Sequence, residues 1–268
     1  MSKASFLSFL ALPEAAQLSE NLDDVSTTLV HRRILQQKKF LRRIYREYYQ
    51  TMRAGLGPDA DQKTVLEIGS GAGFIKEVLP HCLTSDLIGM DGLDLACSAL
   101  DFPFKDDSLD AVVMINVLHH LPDVSLFFSE LRRCLKSGGR VIMIEPANTW
   151  WGKFVYTHFH HEPFDEQTRD WQFTPGGRLT DANVALPWMV FFRDRERFQK
   201  EYPDLRIVRA QPHTPFRYLL SGGFTMRSLA PSFSYGLIKG LGVLLTPLHR
   251  YLGMFMTVEL EYAPTAQT

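Results

Sequence analysis

The stretch Glu67-Ile68-Gly69-Ser70-Gly71-Ala72-Gly73 sets three glycines at alternate positions, with a carboxylate two residues before the first. Glycines let a ligand approach the backbone closely. A turn that offers helix amides to a pyrophosphate wants Gly-x-Gly-x-x-Gly, whereas here the third glycine comes one residue early. Glu67 would also repel a phosphate. It suits an ammonium or a turn amide, as a ligand with a free amino-acid head requires. Tight strand-to-helix turns also use glycine for purely steric reasons, so the surroundings must decide.

Those surroundings read as alternating strands and helices. Thr64–Ile68 is a buried strand ahead of the turn, and Phe74–Leu79 is a short helix stopped by Pro80. His81–Asp86 and Ala111–Ile115 are further strands, Val124–Leu135 is an amphipathic helix ending at Ser137-Gly138-Gly139, and Arg140–Ile144 is the next strand. This alternation implies a parallel sheet covered on both faces. Leu205–Arg209 and Phe255–Glu261 alternate as strands do. Upstream, Ser26–Arg53 has helical periodicity and a basic face, favoured as a solvated face over a site for acidic substrates or anionic lipid.

In that setting the resemblance is specific. Val65 to Gly73 resembles the first motif of class I S-adenosylmethionine-dependent methyltransferases. Asp101 to Asp110 (DFPFKDDSLD) is similar to the LPF-x-D-x-SFD stretch of the type 11 small-molecule subgroup, Asn116 to Leu121 (NVLHHL) to its LHHL block, and Glu130 to Gly139 to its E-x-x-R-x-LK-x-GG block. The four motifs together span Val65 to Pro146. The resemblance implies a Rossmann-like, doubly wound α/β fold with a mostly parallel seven-stranded sheet. It also implies that Glu67, Gly69, Gly71 and Gly73, with Ser70 between them, hold the methionine part of S-adenosylmethionine. Asp86 is expected at the ribose hydroxyls, with Asp91 as the alternative. The family's adenine-reading acid is replaced by Ser98, so Ser98 with the Ala99 amide is expected to read the adenine edge, or Asp94 to reach it. Asn116 is expected at the mouth of the site, between cofactor and acceptor.

The residues that act on the acceptor are harder to place. Methyl displacement from a sulfonium needs alignment above all, and a base only when the acceptor must lose a proton. His158, His161 and Glu162 would share one face of an expected helix over Thr149–Glu162, making His158 and His161 candidate bases and His119 a third. Structural packing competes with that role, and for His119 and His120 it is favoured. His119 is expected to face the site rather than His120. No further ligand is predicted by the spacing, so no metal site is expected. The aromatics Trp150, Trp151, Phe154, Tyr156, Phe159, Phe164 and Trp171 suggest a lid over Thr149 to Phe192 covering an apolar acceptor, completed by the Leu/Gly/Met-rich stretch Tyr218 to Met256.

Composition sets outer bounds. With 29 basic and 30 acidic residues the chain has no basic field for nucleic acid. Three cysteines without C-x-x-C spacing suit a reducing cytoplasm. Neither the apolar stretch Phe6 to Leu12 nor Tyr235 to Val258 reads as a membrane span, although the latter could touch a membrane surface. Residues 1–60 are thus expected as an N-terminal helical arm and 61–268 as the methyltransferase domain, with a lid insertion at about 147–200 and an apolar C-terminal segment at about 212–256. The expected activity is methyl transfer to a hydrophobic or amphipathic small molecule. Oxygen is favoured, with carbon methylation of a quinone, isoprenoid or lipid intermediate as the alternative. A non-catalytic cofactor-binding partner module is the rival from another class.

Overall fold

The computed structural model describes residues 11–12, 24–160, 162–173 and 182–264. Its centre is a seven-stranded sheet made of β1 (Val65–Ile68), β2 (Leu83–Asp86), β3 (Leu95–Ala96), β4 (Leu109–Ile115), β5 (Leu135–Pro146), β6 (Leu205–His213) and β7 (Phe255–Tyr262). The strand order is β3-β2-β1-β4-β5-β7-β6. The first five in that order are parallel, and β7 runs antiparallel to both β5 and β6. The expected doubly wound fold is the one observed.

Strand order reverses between β1 and β4, and open α/β sheets bind ligands at the carboxyl ends of strands at such a point. Every residue of β1 is buried, as expected for a strand covered on both faces. Side chains alternate between two cores. Leu66, Val112, Met114, Val141 and Met143 enter one, while Val65, Ala111, Val113, Ile142 and Ile144 enter the other. On the first face α3 (Val124–Cys134) packs Phe127, Phe128 and Leu131, and its amino end is capped by the Asp123 carboxylate, which accepts from the Ser125 and Leu126 amides.

The second face is filled from the N-terminal side. The expected helix over Ser26–Arg53 is two helices, α1 (Val25–Gln37) and α2 (Lys39–Leu56), broken at Lys38. At the break the Lys38 ammonium donates to the carbonyls of Gly223 and Met226, far along the chain, at 2.6 and 2.7 Å. α2 buries Phe40, Leu41, Ile44, Tyr45, Tyr48, Tyr49 and Met52 in the same core as β1, β4 and β5. The N-terminal arm therefore covers the sheet rather than standing beside it. The basic run is not a freely solvated face either: Arg32 bonds the Gly71 and Asp91 carbonyls, Arg42 and Arg46 pair with Glu77, and Arg43 bonds the Ser232 carbonyl.

Other departures are local. The helix expected after the glycine turn is a single 3-10 turn, Ile75–Glu77, with Pro80 close behind. The helix expected over Thr149–Glu162 is α4 (Trp150–Phe159), which ends in an extended His160. Much of the expected loop Phe173–Pro187 lies outside the described residues, as do residues 1–10.

Phe128 is fully buried against Phe127, Phe191, Phe198 and Tyr202. Truncating a buried phenylalanine removes its transfer energy and leaves a cavity, at a cost of roughly 3–5 kcal/mol. Phe128→Ala should lose that much unfolding free energy in denaturant titration; a loss below about 1 kcal/mol would contradict this packing.

Candidate functional site

The glycine turn leaves the carboxyl end of β1 and is laced to the end of β2. The Ser70 amide donates to the Ser85 carbonyl at 2.8 Å, the Ser85 amide to Ser70 Oγ at 3.1 Å, and Ser85 Oγ to the Glu67 carbonyl at 2.8 Å. Gly69 and Gly71 have φ of +65° and +37°, in or near the left-handed region that disfavours side chains. A Cβ on Gly69 would stand 2.4 Å from Val117 Cγ2, and one on Gly73 would stand 2.2 Å from Tyr49 Oη and 2.8 Å from the Ser70 carbonyl. The glycines are thus required by close approach as well as by turn shape.

Over this turn opens a cavity of about 570 Å³, within the range of about 300–1,000 Å³ usual for small-molecule sites. Glu67, Gly69, Ser70, Gly71, Gly73, Asp86, Ser98, Ala99 and Asn116 all line it. Asp86 closes β2, and its Oδ2 accepts the Gly71 amide at 3.1 Å. Asp91 and Asp94, the alternatives for ribose and adenine, do not line it. Asp94 instead accepts from Lys76 and from the Thr84 amide and hydroxyl, which bind it to the outside of β2. Ser98 Oγ accepts the Leu100 amide at 3.1 Å, shaping the Ser98–Ala99 corner. Asn116 has φ of +55° and donates its amide to the Ile144 carbonyl, which places its side chain at the carboxyl end of β4.

Glu67 is the unusual group in this wall. It is buried, and its Oε2 has no hydrogen-bond partner. Burial pushes its carboxyl up to about 7, because hydrogen bonding by Ser70 and Tyr49 offsets only part of the desolvation and Asp86 adds like charge.

The histidines are arranged differently from the sequence expectation. His158 is exposed on α4, with Nδ1 at 2.8 Å from the Phe154 carbonyl and its ring stacked on Phe154, and it does not reach the cavity. His161 lies outside the described residues. Glu162 does not continue α4, because the helix stops at Phe159 and the chain returns to the 3-10 turn Leu118–His120. His120 lines the cavity and His119 does not, the reverse of the expectation. His119 is buried between two carboxylates, with Nδ1 2.7 Å from Glu145 Oε2 and Nε2 3.5 Å from Glu162 Oε2. Burial opposes its charge, yet Glu145 and Glu162 prevail and hold the imidazolium up to about 9. Burial likewise opposes the Glu162 charge, and the surrounding His119, His120 and His160 bring that carboxyl down to about 2.

Part of the wall was not anticipated from sequence. Thr28 and His31 of α1, Tyr45 and Tyr49 of α2, and Phe224 also line the cavity, with Thr28 and Tyr49 against the glycine turn itself. Tyr45 and Tyr49 sit four residues apart on a helix, a spacing that signals one shared face but not what the face covers. No described residue of the expected lid, Thr149 to Phe192, lines this cavity. Of its aromatics, Trp150 and Phe154 are exposed, while Trp171 is buried and donates to Asp194 at 2.9 Å.

Comparison with known proteins agrees with this geometry. Residues 66–143 match a family described as "Methyltransferase domain". The chain is 41% identical over 107 residues to a demethylmenaquinone methyltransferase of Streptomyces avermitilis, covering 39% of this chain and 46% of that protein. It is 26% identical over 108 residues to an uncharacterized methyltransferase of Mycobacterium tuberculosis, covering 34% and 42%. The chain thus spans less than half the length of these relatives. Among solved structures it is similar to a geranyl diphosphate C-methyltransferase of Streptomyces coelicolor, with a TM-score of 0.48 and 17% identity over 83% of this chain and 78% of that one. The matched residues run from β1 through the glycine turn into β5, so the similarity to methyltransferase domains falls on the strands and the turn that line the cavity.

Proposed function

We propose that this chain transfers the methyl group of S-adenosylmethionine to a hydrophobic or amphipathic small molecule. The observation that carries this reading is the buried Glu67 carboxylate, unpartnered at Oε2 in the wall of a glycine-cradled cavity. A ligand bearing an ammonium supplies the missing partner. In this reading the cofactor's amino-acid end lies along Gly69 to Gly73, the Asp86 carboxylate takes its ribose, Ser98 and the Ala99 amide read the adenine edge, and Asn116 stands at the boundary with the acceptor. The residues present fit the group. What the cofactor supplies is a methyl carbon already activated by its sulfonium, so the protein's own work is alignment.

For the acceptor, two observations favour an apolar ring methylated at carbon. The matched relative from Streptomyces avermitilis is named for a quinone substrate, and the cavity lining includes the apolar or aromatic Tyr45, Leu121 and Phe224. Oxygen methylation, first favoured from the sequence, looked to a base from His158, His161 or His119, and neither His158 nor His119 lines the cavity. Only His120 among the described histidines of the LHHL block and α4 lines it. Incubation with methyl-labelled S-adenosylmethionine and a panel of demethylated quinols and phenols, read by mass spectrometry, should place label on a ring carbon. Label on oxygen would select the other chemistry. Cofactor binding without transfer to any acceptor would favour a binding module, and no binding of S-adenosylhomocysteine would overturn the reading altogether.

The C-terminal segment supports contact with a lipid surface, from which an apolar acceptor would be drawn. Phe233 and, on α5 (Tyr235–Leu244), Leu237, Leu241 and Leu244 are exposed, the last three at the spacing of one helix face. No described helix is long and apolar enough to cross a membrane. The contact is therefore proposed as peripheral.

Three outcomes follow from these placements. Gly73→Ala, which drives a methyl into Tyr49 Oη and the Ser70 carbonyl, should weaken S-adenosylhomocysteine binding in calorimetry by roughly tenfold or more, as a loss above ~1.4 kcal/mol requires. Because the Glu67 carboxyl is raised to about 7, the ligand-free fold holds its proton more tightly than the unfolded chain does. Its contribution to stability is present at low pH and is lost as pH rises through about 7. A ligand ammonium expels that proton, so affinity should climb between about pH 5.5 and 7.5 with proton release, and Glu67→Gln should flatten the climb. An equal slope in Glu67→Gln would remove Glu67 from ammonium binding. The paired change Leu237→Ser and Leu244→Ser should cut co-sedimentation with phosphatidylglycerol vesicles by roughly tenfold or more while leaving S-adenosylhomocysteine binding intact.

A further inference from the structure

We propose that His119, His120 and Glu162 form a site for one divalent transition-metal ion, with His119 Nε2, His120 Nε2 and the Glu162 carboxylate as ligands. Their donor atoms all lie within 4.8 Å of one another. Glu162 Oε2 is 3.5 Å from His119 Nε2, and Glu162 Oε1 is 3.8 Å from His120 Nε2. Such separations are long for a good hydrogen bond. The two contacts end on different oxygens of the one carboxylate; a four-coordinate zinc ion with bonds of about 2.0–2.1 Å spaces its ligand atoms roughly 3.3–3.4 Å apart, so a single Glu162 oxygen must turn toward both rings to serve as the third ligand. A modest contraction around the ion closes the site.

The chain around the cluster orients it as metal ligands are usually oriented. Glu145 Oε2 takes His119 Nδ1 at 2.7 Å, and its other oxygen accepts the Val117 and Leu118 amides, both at 2.8 Å. A carboxylate on the far nitrogen sets the ring and makes Nε2 the metal-facing atom. The His119 and His120 rings lie side by side, with centroids 4.2 Å apart. Glu162 is anchored through its own amide, which donates to His160 Nδ1 at 3.2 Å. Two imidazoles and one carboxylate suit zinc, cobalt or nickel better than magnesium or calcium.

Three protein ligands leave a fourth position, and His120 brings the cluster to the cavity wall. An acceptor oxygen is the ligand class that fits there. That use rests on the methyl-transfer reading, whereas the metal site rests on its own geometry.

The full chain, stripped with EDTA and titrated with cobalt(II) and zinc(II), should take up one equivalent and show the visible d–d bands of four-coordinate cobalt. His120→Asn and Glu162→Gln should each weaken uptake by at least roughly tenfold, and Glu145→Gln, which leaves all three ligands in place, by roughly 10–100-fold. Acetohydroxamate should shift the cobalt bands by entering the fourth position. If Glu162→Gln fails to fold, His120→Asn at the cavity wall carries the test. Absence of stoichiometric uptake, or uptake unchanged in both ligand variants, would overturn the proposal. S-adenosylhomocysteine titrated in parallel separates the two readings: intact cofactor binding without metal uptake removes the metal site alone.

Discussion

Close backbone approach at the carboxyl end of β1 is the constraint on which the rest of the structure depends. Gly69, Gly71 and Gly73 bring the chain beneath Val117, beside Asp86 and against Tyr49 with no room for a Cβ at the first and last of them. The reversal of strand order beside β1 opens a cleft at that place, because the connections to β2 and β4 leave toward opposite sides. Serines stitch the turn to β2, so the Asp86 carboxylate and the turn amides keep a fixed relation. A turn held from both sides can present a preorganised surface to a ligand at little conformational cost.

Two buried carboxylates near this cleft differ in their hydrogen-bond partners. Glu145 is satisfied on both oxygens, by two amides and the His119 ring. Glu67 has the burial without the full set of partners, and its proton is held far more tightly than that of an ordinary carboxyl. Buried charge is tolerated where compensation is built in, and where it is not, a ligand can complete the arrangement. The first case stiffens the turn carrying His119 and His120, and the second leaves a buried carboxyl oxygen without a partner in the cavity wall.

The N-terminal helices have a double role. α2 completes the core on one sheet face, the face left thin because the chain after the glycine turn makes only a 3-10 turn. The same helix, with α1, supplies Thr28, His31, Tyr45 and Tyr49 to the cavity wall. Packing and binding are thereby coupled: Lys38 and Arg32 hold α1 by carbonyls of the C-terminal segment and of the glycine turn itself.

Much of this was legible in the chain. Periodicity located β1, β2, β4, β5, β6 and β7 to within a few residues, and glycine spacing with the leading acid, together with three later motifs, pointed to the ligand class. Such signals are local: strand burial, turn sterics and helix capping act over a handful of residues. The two-residue β3 is too short to show a period, and the break at Lys38 and the early stop of α4 escaped because each is settled by partners far along the chain. Lys38 finds its carbonyls at Gly223 and Met226, and Glu162 turns away from α4 toward His119 and His120. The choice of His120 over His119 at the cavity, and the gathering of Glu145 and Glu162 around His119, likewise needed three separate segments to meet. Motif and pattern determined an α/β sheet with a tight glycine turn at Glu67 to Gly73, while tertiary contact alone decided what faces that turn, because long-range packing carries no periodic trace in sequence.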